Sequence, residues 1–195
     1  MNLSEYLKKC GCNITEGHCG QVANQRKDLM LLTSGQNINV MEIGFNAGHS
    51  AETFLLNNPT LKLTSFDIGQ HIYLTHGKQY IDEKFPGRHT LIIGDSTQTL
   101  PRFIQDNSDT KFDLLFIDGG HDYAVSKSDM INCLKLANTG SIIIMDDTTY
   151  TPGWAAAWTV GPTRVWVEAE ADGSVQTIGK YDYEHGRGMS VGRKT

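Results

Sequence analysis

The sequence predicts an α/β fold, a doubly wound and mostly parallel sheet of seven strands with an antiparallel C-terminal hairpin. Short apolar runs rich in β-branched residues alternate with longer amphipathic runs between residues 38 and 145. Such alternation is typical of βαβ units in a parallel sheet. After residue 173, two strand-like runs flank a glycine-rich turn, and this pattern predicts the hairpin at one edge.

The parallel strands are predicted from apolar runs of the kind that is buried on both faces of a sheet. They cover residues 38–43, 61–68, 90–93, 112–117 and 141–145. The intervening helices are predicted at 49–56, 71–84, 97–106 and 122–137, after two amphipathic helices at 2–10 and 20–32. Residues 148–161 are turn-rich and aromatic, residues 163–169 are predicted to be helical, and the hairpin strands cover 174–181 and 189–193.

The composition is that of an ordinary globular protein, with 39% hydrophobic and 20% charged residues. The net charge of −5 argues against nucleic acid or an anionic membrane as the main partner. No apolar run reaches the roughly 18–20 residues that span a bilayer, and the N-terminus has no apolar signal-peptide core. We interpret the four cysteines as reduced thiols, because their spacing departs from that of structural zinc sites, and we expect a cytoplasmic location.

Two of the predicted strands end abruptly in acidic residues. Asp118 and His121 follow the fourth strand, and Asp146 and Asp147 follow the fifth. Ligands of open α/β sheets bind outside the carboxyl ends of the strands. Three carboxylates and one imidazole at that edge can hold a hard divalent cation and supply a general base. The structural alternative is a cap for the following segment in the case of the acidic pair, and a turn residue in the case of His121.

A glycine-bearing turn follows the first strand. It contains Glu42, Gly44, Phe45, Asn46, Ala47, Gly48, His49 and Ser50. A turn of this kind lets a ligand approach the backbone closely and presents the amides of a helix N-terminus. Asp67 ends the second strand, where a carboxylate can accept hydrogen bonds from ribose hydroxyls, and Asp95 and Ser96 end the third. A helix cap or a solvated strand end is the structural alternative for these residues.

Taken in order, Glu42-x-Gly44-x-x-x-Gly48, Asp67, Asp95-Ser96 and Asp118 resemble the motif series of class I S-adenosylmethionine-dependent methyltransferases, which have a Rossmann-like sheet. The resemblance covers roughly residues 38–147. It implies that the segment from Gly44 to Gly48 passes beneath the methionine part of S-adenosylmethionine. It also implies that Asp67 holds the ribose and that Asp95 and Ser96 hold the adenine.

The spacing Asp118-x-x-His121 and the later pair Asp146-Asp147 resemble metal-dependent O-methyltransferases, particularly those that act on sugars of macrolide antibiotics. Catechol-type O-methyltransferases place a related metal site at the same strand ends, with Lys in place of His121 and Asn in place of Asp147. The resemblance implies that Asp118, Asp146 and Asp147 ligate Mg²⁺ (or Mn²⁺). It further implies that His121 is the general base, with Asp118 beside it in the catalytic site.

We therefore expect a Mg²⁺-dependent O-methyltransferase that acts on a small-molecule or glycan acceptor, with a sugar as the first expectation and a catechol-like phenol as the second. Tyr150 and Trp154 follow the acidic pair and are candidates for the acceptor pocket, although they could equally be core residues. Compared with larger sugar methyltransferases, which have an additional N-terminal domain, we expect no such domain within residues 1–195. The sequence leaves open whether the protein forms a homodimer and whether it is part of a longer polypeptide.

The length of 195 residues suits one core, so we expect a single methyltransferase domain over residues 1–195. Within it we assign residues 1–35 to an N-terminal helical cap, 36–147 to a cofactor-binding core, and 148–195 to an acceptor loop and the closing hairpin.

Two other classes of function stay open from the sequence. An Fe(II)-dependent oxygenase could use histidine and aspartate ligands, but one histidine fits the two-histidine pattern poorly. A non-catalytic domain would bind the cofactor tightly and have no affinity for metal.

Overall fold

The computed structural model describes residues 1–35 and 38–195, so residues 36 and 37, at the start of the predicted core, lie outside the described part of the chain. Its strands are β1 (Asn39–Ile43), β2 (Lys62–Asp67), β3 (His89–Ile93), β4 (Phe112–Ile117), β5 (Ala137–Asp146), β6 (Val175–Glu184) and β7 (Arg187–Lys194). They form a seven-stranded sheet in the order β3-β2-β1-β4-β5-β7-β6.

The order of the strands confirms the predicted doubly wound fold. Strands β1 to β5 run parallel, and β7 pairs antiparallel with both β5 and β6. Because β1 lies between β2 and β4, the chain winds outward to one side through β3 and then to the other side through β5. The point where the winding reverses is where open α/β sheets bind their ligands.

Helices cover both faces of this sheet. They are α1 (Leu3–Lys9), α2 (Ala23–Leu32), α3 (His49–Asn57), α4 (Tyr73–Lys84), α5 (Ser96–Asp106), α6 (Tyr123–Leu136) and α7 (Val160–Ala171), with short 3₁₀ turns at Cys19–Gln21 and Ala157–Thr159. None of the described helices is both long and apolar enough to cross a membrane.

The core is divided by the sheet because successive side chains of a strand point to opposite faces. Val40 packs into a cluster with Leu29 and Phe54, so α1 to α4 cover that face. The next residue, Met41, packs into the opposite cluster with Trp166, so α5 to α7 cover the other face. Burial on both faces explains why the central strands are apolar at consecutive positions.

The carboxyl ends of the central strands are aligned at one edge of the sheet. Ile43 of β1 is paired with Phe66 of β2 on one side and with Ile117 of β4 on the other. Ile117 is in turn paired with Met145 of β5. The residues that follow these positions in sequence therefore meet at the same edge, where the sequence placed both the glycine turn and the acidic residues.

The C-terminal hairpin is longer than the sequence pattern predicted. β6 ends at Glu184 and β7 begins at Arg187, so only His185 and Gly186 form the turn. Gly186 has φ +68°, a left-handed conformation that favours glycine. The polar and glycine-rich sequence around the turn concealed the ends of both strands.

Candidate active site

The glycine turn after β1 follows a backbone path that few residues other than glycine adopt. Gly44 has φ +96°, Asn46 has φ +51° and Gly48 has φ +92°. A Cβ atom at Gly44 would overlap the carbonyl oxygen of Asp118. The turn thus lies directly against the end of β4, and glycine at position 44 permits this close approach.

Glu42 is fully buried beneath this turn. Its carboxyl accepts hydrogen bonds from Ser50 Oγ at 2.7 Å and from Ser65 Oγ at 2.6 Å. Since the Ser65 hydroxyl donates to Glu42, His89 Nε2 at 2.7 Å must donate to Ser65. Burial raises the pKa of Glu42 to about 7 although both serines favour its charged form. Glu42 and Ser50 therefore hold β1, β2 and the start of α3 together, and their predicted cofactor contact stays a prediction.

Asp67 fastens the glycine turn to the end of β2. Its Oδ2 accepts a hydrogen bond from the Asn46 backbone amide at 2.7 Å, and its Oδ1 accepts one from the Gly69 amide at 2.7 Å. The side-chain Oδ1 of Asn46 is buried without a hydrogen-bond partner among the described residues. An unsatisfied buried acceptor is costly, so this atom is suited to a donor from a ligand in the turn.

The end of β3 shows the capping arrangement that the sequence left open. Asp95 accepts hydrogen bonds from the Thr97 amide at 2.9 Å and the Thr97 hydroxyl at 2.8 Å, so it is the N-cap of α5. Facing Ser96 from α6 lies Asp129, a fully buried carboxyl that the sequence reasoning missed. Burial raises the pKa of Asp129 to about 6. The adenine contacts of Asp95 and Ser96 remain predictions.

The side chain of His49 lies against the N-terminal segment. Its ring stacks on His18 with 3.5 Å between ring centroids, and its Nε2 lies 3.1 Å from Ser4 Oγ. Burial lowers the pKa of His49 to about 4, so the ring is neutral at physiological pH. The side chain of His49 thus contacts the N-terminal cap.

The acidic residues of β4 and β5 converge with His121. One potential ligand atom from each of Asp118, His121 and Asp147 lies within 4.8 Å of the other two. His121 Nε2 is 2.9 Å from Asp147 Oδ2, and the histidine side chain is 42% exposed, so a substrate can reach it. Asp147 has φ +54°, a strained conformation for a residue with a side chain.

The charges in this cluster shift the pKa values of its members. Burial, followed by the charges of Asp146 and Asp147, raises the pKa of Asp118 well above its usual value. The hydrogen bond with Asp147 raises the pKa of His121. The carboxylates of Asp118 and Asp147 at these distances fit a divalent cation, which would relieve their repulsion, and the imidazole of His121 beside them fits a general base.

Asp146 is engaged by a residue from the N-terminal cap. Gln25 Nε2 donates to Asp146 Oδ1 at 2.6 Å and to Oδ2 at 2.8 Å. Arg187 Nη2 donates to the other end of the Gln25 amide, at 3.4 Å from Oε1. Burial and the charge of Asp147 raise the pKa of Asp146 to about 7. The side chain of Gln25 is fully buried.

The aromatic residues after β5 pack against the hairpin. Tyr150 Oη is 2.7 Å from Ser190 Oγ, and Lys180 Nζ lies 4.7 Å from the centre of the tyrosine ring. Trp154 is partly buried, and its carbonyl accepts a hydrogen bond from the Gly186 amide at 2.7 Å. Their predicted role in the acceptor pocket stays a prediction.

Comparison with known proteins identifies the family. A family model described as a methyltransferase domain matches residues 41–148, more than half of the chain. The chain belongs to this methyltransferase family. The uncharacterized protein y4gI of Sinorhizobium fredii is 26% identical over 124 residues, or 62% of this chain. The matched part covers only 12% of y4gI.

Solved structures of methyltransferases share the fold. The O-methyltransferase of Bacillus cereus, in complex with S-adenosylhomocysteine, is 19% identical with a TM-score of 0.72, covering 98% of this chain and 90% of its own. The TDP-rhamnose 3'-O-methyltransferase CalS11 of calicheamicin biosynthesis is 19% identical with a TM-score of 0.64, covering 87% and 77%. The resemblance to class I methyltransferases that the motif series indicated is thereby confirmed.

Proposed function

We propose that this methyltransferase transfers the methyl group of S-adenosylmethionine to a hydroxyl group of a small acceptor, a sugar or glycan residue, with the aid of Mg²⁺ or Mn²⁺. The observation that carries the proposal is the convergence of Asp118, His121 and Asp147 beside the glycine turn. Two structural neighbours support it, one in complex with S-adenosylhomocysteine and one that methylates TDP-rhamnose.

The cofactor site is formed by the ends of β1, β2 and β3. The open backbone of Gly44 to Gly48 accommodates the methionine part, the Asp67 carboxylate has lone pairs left for ribose hydroxyls, and Asp95 and Ser96 lie at the adenine end. S-adenosylmethionine supplies an electrophilic methyl group on a sulfonium when it is bound. The buried acceptor of Asn46 suits the ammonium group of its methionine part.

The proposed metal ligands are Asp118 and Asp147, which lie in one group with His121, and Asp146, which precedes Asp147 at the end of β5. A divalent cation held by these residues would act as a Lewis acid that favours the ionised hydroxyl of the acceptor. His121 would accept the hydroxyl proton at a ring nitrogen as that oxygen takes the methyl group supplied by S-adenosylmethionine, which would leave as S-adenosylhomocysteine. Asp147 stabilises the imidazolium that results through its 2.9 Å contact. A sugar with vicinal hydroxyls or a catechol would orient one oxygen for the in-line displacement.

Turnover of a panel of nucleotide sugars and catechols, with and without Mg²⁺, tests this proposal. We expect His121→Ala to lower kcat by roughly 10²- to 10⁴-fold, since that is the usual contribution of a general base. Affinity for S-adenosylhomocysteine should change less than about twofold. The control is His185→Ala, which removes an exposed histidine of the hairpin turn.

The outcomes separate the competing functions. Full turnover by His121→Ala and Asp118→Asn would contradict the mechanism. Tight cofactor binding without metal affinity or turnover on any acceptor would favour a non-catalytic domain. Methylation of catechols alone would replace the sugar acceptor and leave the reaction class unchanged.

A further inference from the structure

Helix α2 turns a polar face toward the interior of the protein. Gln25 and Asp28 are three residues apart, so they lie on the same side of the helix. Gln25 reaches Asp146 of β5, and Asp28 accepts a hydrogen bond of 2.7 Å from Tyr183 Oη of β6. Together the two contacts fix α2 across the carboxyl end of β5.

The surroundings of the Gln25 amide determine which way it faces. An ionised carboxylate only accepts hydrogen bonds, and a guanidinium only donates them. The NH₂ group therefore faces Asp146, at 2.6 and 2.8 Å, and the carbonyl faces Arg187, at 3.4 Å. In the reverse orientation the Gln25 carbonyl would face the Asp146 carboxylate, and the NH₂ group would face the Arg187 guanidinium. Neither pair could then form a hydrogen bond.

Arg187 lies in a confined position on the outer side of this amide. A Cβ atom at Gly17 would overlap its guanidinium, so the N-terminal loop closes directly over it. The positive charge of Arg187 favours the ionised forms of Asp118 and Asp146. A cation from the hairpin is thus fixed next to two carboxylates that repel each other.

We propose that Gln25 is a positioning residue for Asp146, which makes the N-terminal cap a part of the metal site. This inference rests on the proposed function. The Gln25 NH₂ group donates a hydrogen bond to each oxygen of the Asp146 carboxylate and so fixes the plane of the carboxyl group. A carboxylate offers about four lone-pair sites, so two remain for a cation or for water. Partners of this kind orient metal ligands, and their loss lowers metal affinity or activity about 10- to 100-fold.

Binding of Mn²⁺ to the whole protein tests the role of Gln25 without reference to turnover. Gln25→Met removes the amide and keeps the length of the side chain. Asn24→Met makes the same change at the exposed neighbouring position. We expect electron paramagnetic resonance titration to show Mn²⁺ binding weakened about 10- to 100-fold in Gln25→Met and less than about twofold in Asn24→Met.

Calorimetry with S-adenosylhomocysteine on the same proteins separates this inference from the proposed function. We expect both variants to bind S-adenosylhomocysteine with an affinity within about twofold of wild type. A general loss of structure would instead weaken the binding of both Mn²⁺ and S-adenosylhomocysteine. Equal Mn²⁺ affinities in the two variants would overturn the inference, as would a wild-type protein that binds no Mn²⁺. A wild-type protein that binds Mn²⁺ but no S-adenosylhomocysteine would contradict the proposed function, and the Mn²⁺ comparison would still decide the role of Gln25.

Discussion

The carboxyl group of Glu42 illustrates how a motif residue can stabilise the site through buried hydrogen bonds beneath the glycine turn. The sequence predicted a cofactor contact, and the structure shows hydrogen bonds from Ser50 and Ser65 to its two oxygens. The free energy required to bury the ionised carboxylate exceeds the stabilisation from these two hydrogen bonds. Burial therefore raises the pKa of Glu42 to about 7. The protonation of Glu42 should therefore be linked to folding.

We predict that Glu42→Gln removes a dependence of stability on pH. Between the usual pKa of 4.5 and the folded value of about 7, the folded protein binds more protons at Glu42 than the unfolded chain does. The contribution of Glu42 is therefore fully present below pH 4.5 and is lost as the pH rises through 7. The total loss is at most about 3 kcal/mol.

Urea unfolding of both proteins between pH 5 and pH 8 measures this contribution. We expect the free energy of unfolding of wild type, relative to Glu42→Gln, to fall from pH 5 and to level off above pH 7. The exposed residue Glu83 provides the control variant Glu83→Gln, whose curve should run parallel to that of wild type. A constant difference between wild type and Glu42→Gln would show that the carboxyl group is charged throughout.

At the scale of elements, the glycines explain how closely the helices approach the site. Gly77 lies inside α4, where glycine costs about 0.5–1 kcal/mol relative to alanine. Its role follows from its neighbour, because a Cβ atom there would overlap the carbonyl oxygen of Ala47 in the glycine turn. The absence of a side chain lets α4 pack directly against the glycine turn.

We predict that Gly77→Ala destabilises the protein despite its better helix propensity. The overlap with Ala47 must be relieved by a shift of the helix or of the turn, at a cost of about 1–3 kcal/mol. Affinity for S-adenosylhomocysteine should fall as well, because the turn is displaced. Thermal unfolding and calorimetry measure the two effects, with the surface variant Gln79→Ala of the same helix as control. A rise in melting temperature in Gly77→Ala would contradict this account.

The strands and helices of the core could be predicted because each follows from a local pattern. The run before Asp118 is apolar at consecutive positions, and the sheet indeed buries both of its faces. The inward polar face of α2 could not be predicted in this way. Gln25 is buried by a partner 121 residues away in the chain, and nothing in the neighbouring polar residues Asn24 and Arg26 indicates that contact.

At the scale of the whole molecule, the acidic centre is assembled from distant parts of the chain. The cap supplies Gln25, the core supplies Asp118 and Asp146, and the hairpin supplies Arg187. The sequence predicted the carboxylates because strand ends share one edge of a parallel sheet. It did not predict Gln25 or Arg187, because their positions depend on how the two chain ends pack over that edge.

Because the proposed cofactor site exists only in the folded arrangement, S-adenosylhomocysteine should stabilise the whole protein. A ligand that binds only the folded state at 100 times its dissociation constant adds about 2.7 kcal/mol. For a protein of this size that corresponds to a rise in melting temperature of roughly 5–11 °C. We predict such a rise with S-adenosylhomocysteine for wild type, and a rise less than half as large for Asp67→Asn at the same ligand concentration.

Asp67 is the proposed ribose ligand, and its carboxylate also accepts a hydrogen bond from the Asn46 amide in the turn. Comparison of each protein with and without ligand cancels the effect of the substitution on stability itself, and Asp106→Asn on the exposed end of α5 is the control. An equal rise in all three proteins would exclude Asp67 from the cofactor site, whereas no rise in wild type would contradict the binding of this cofactor.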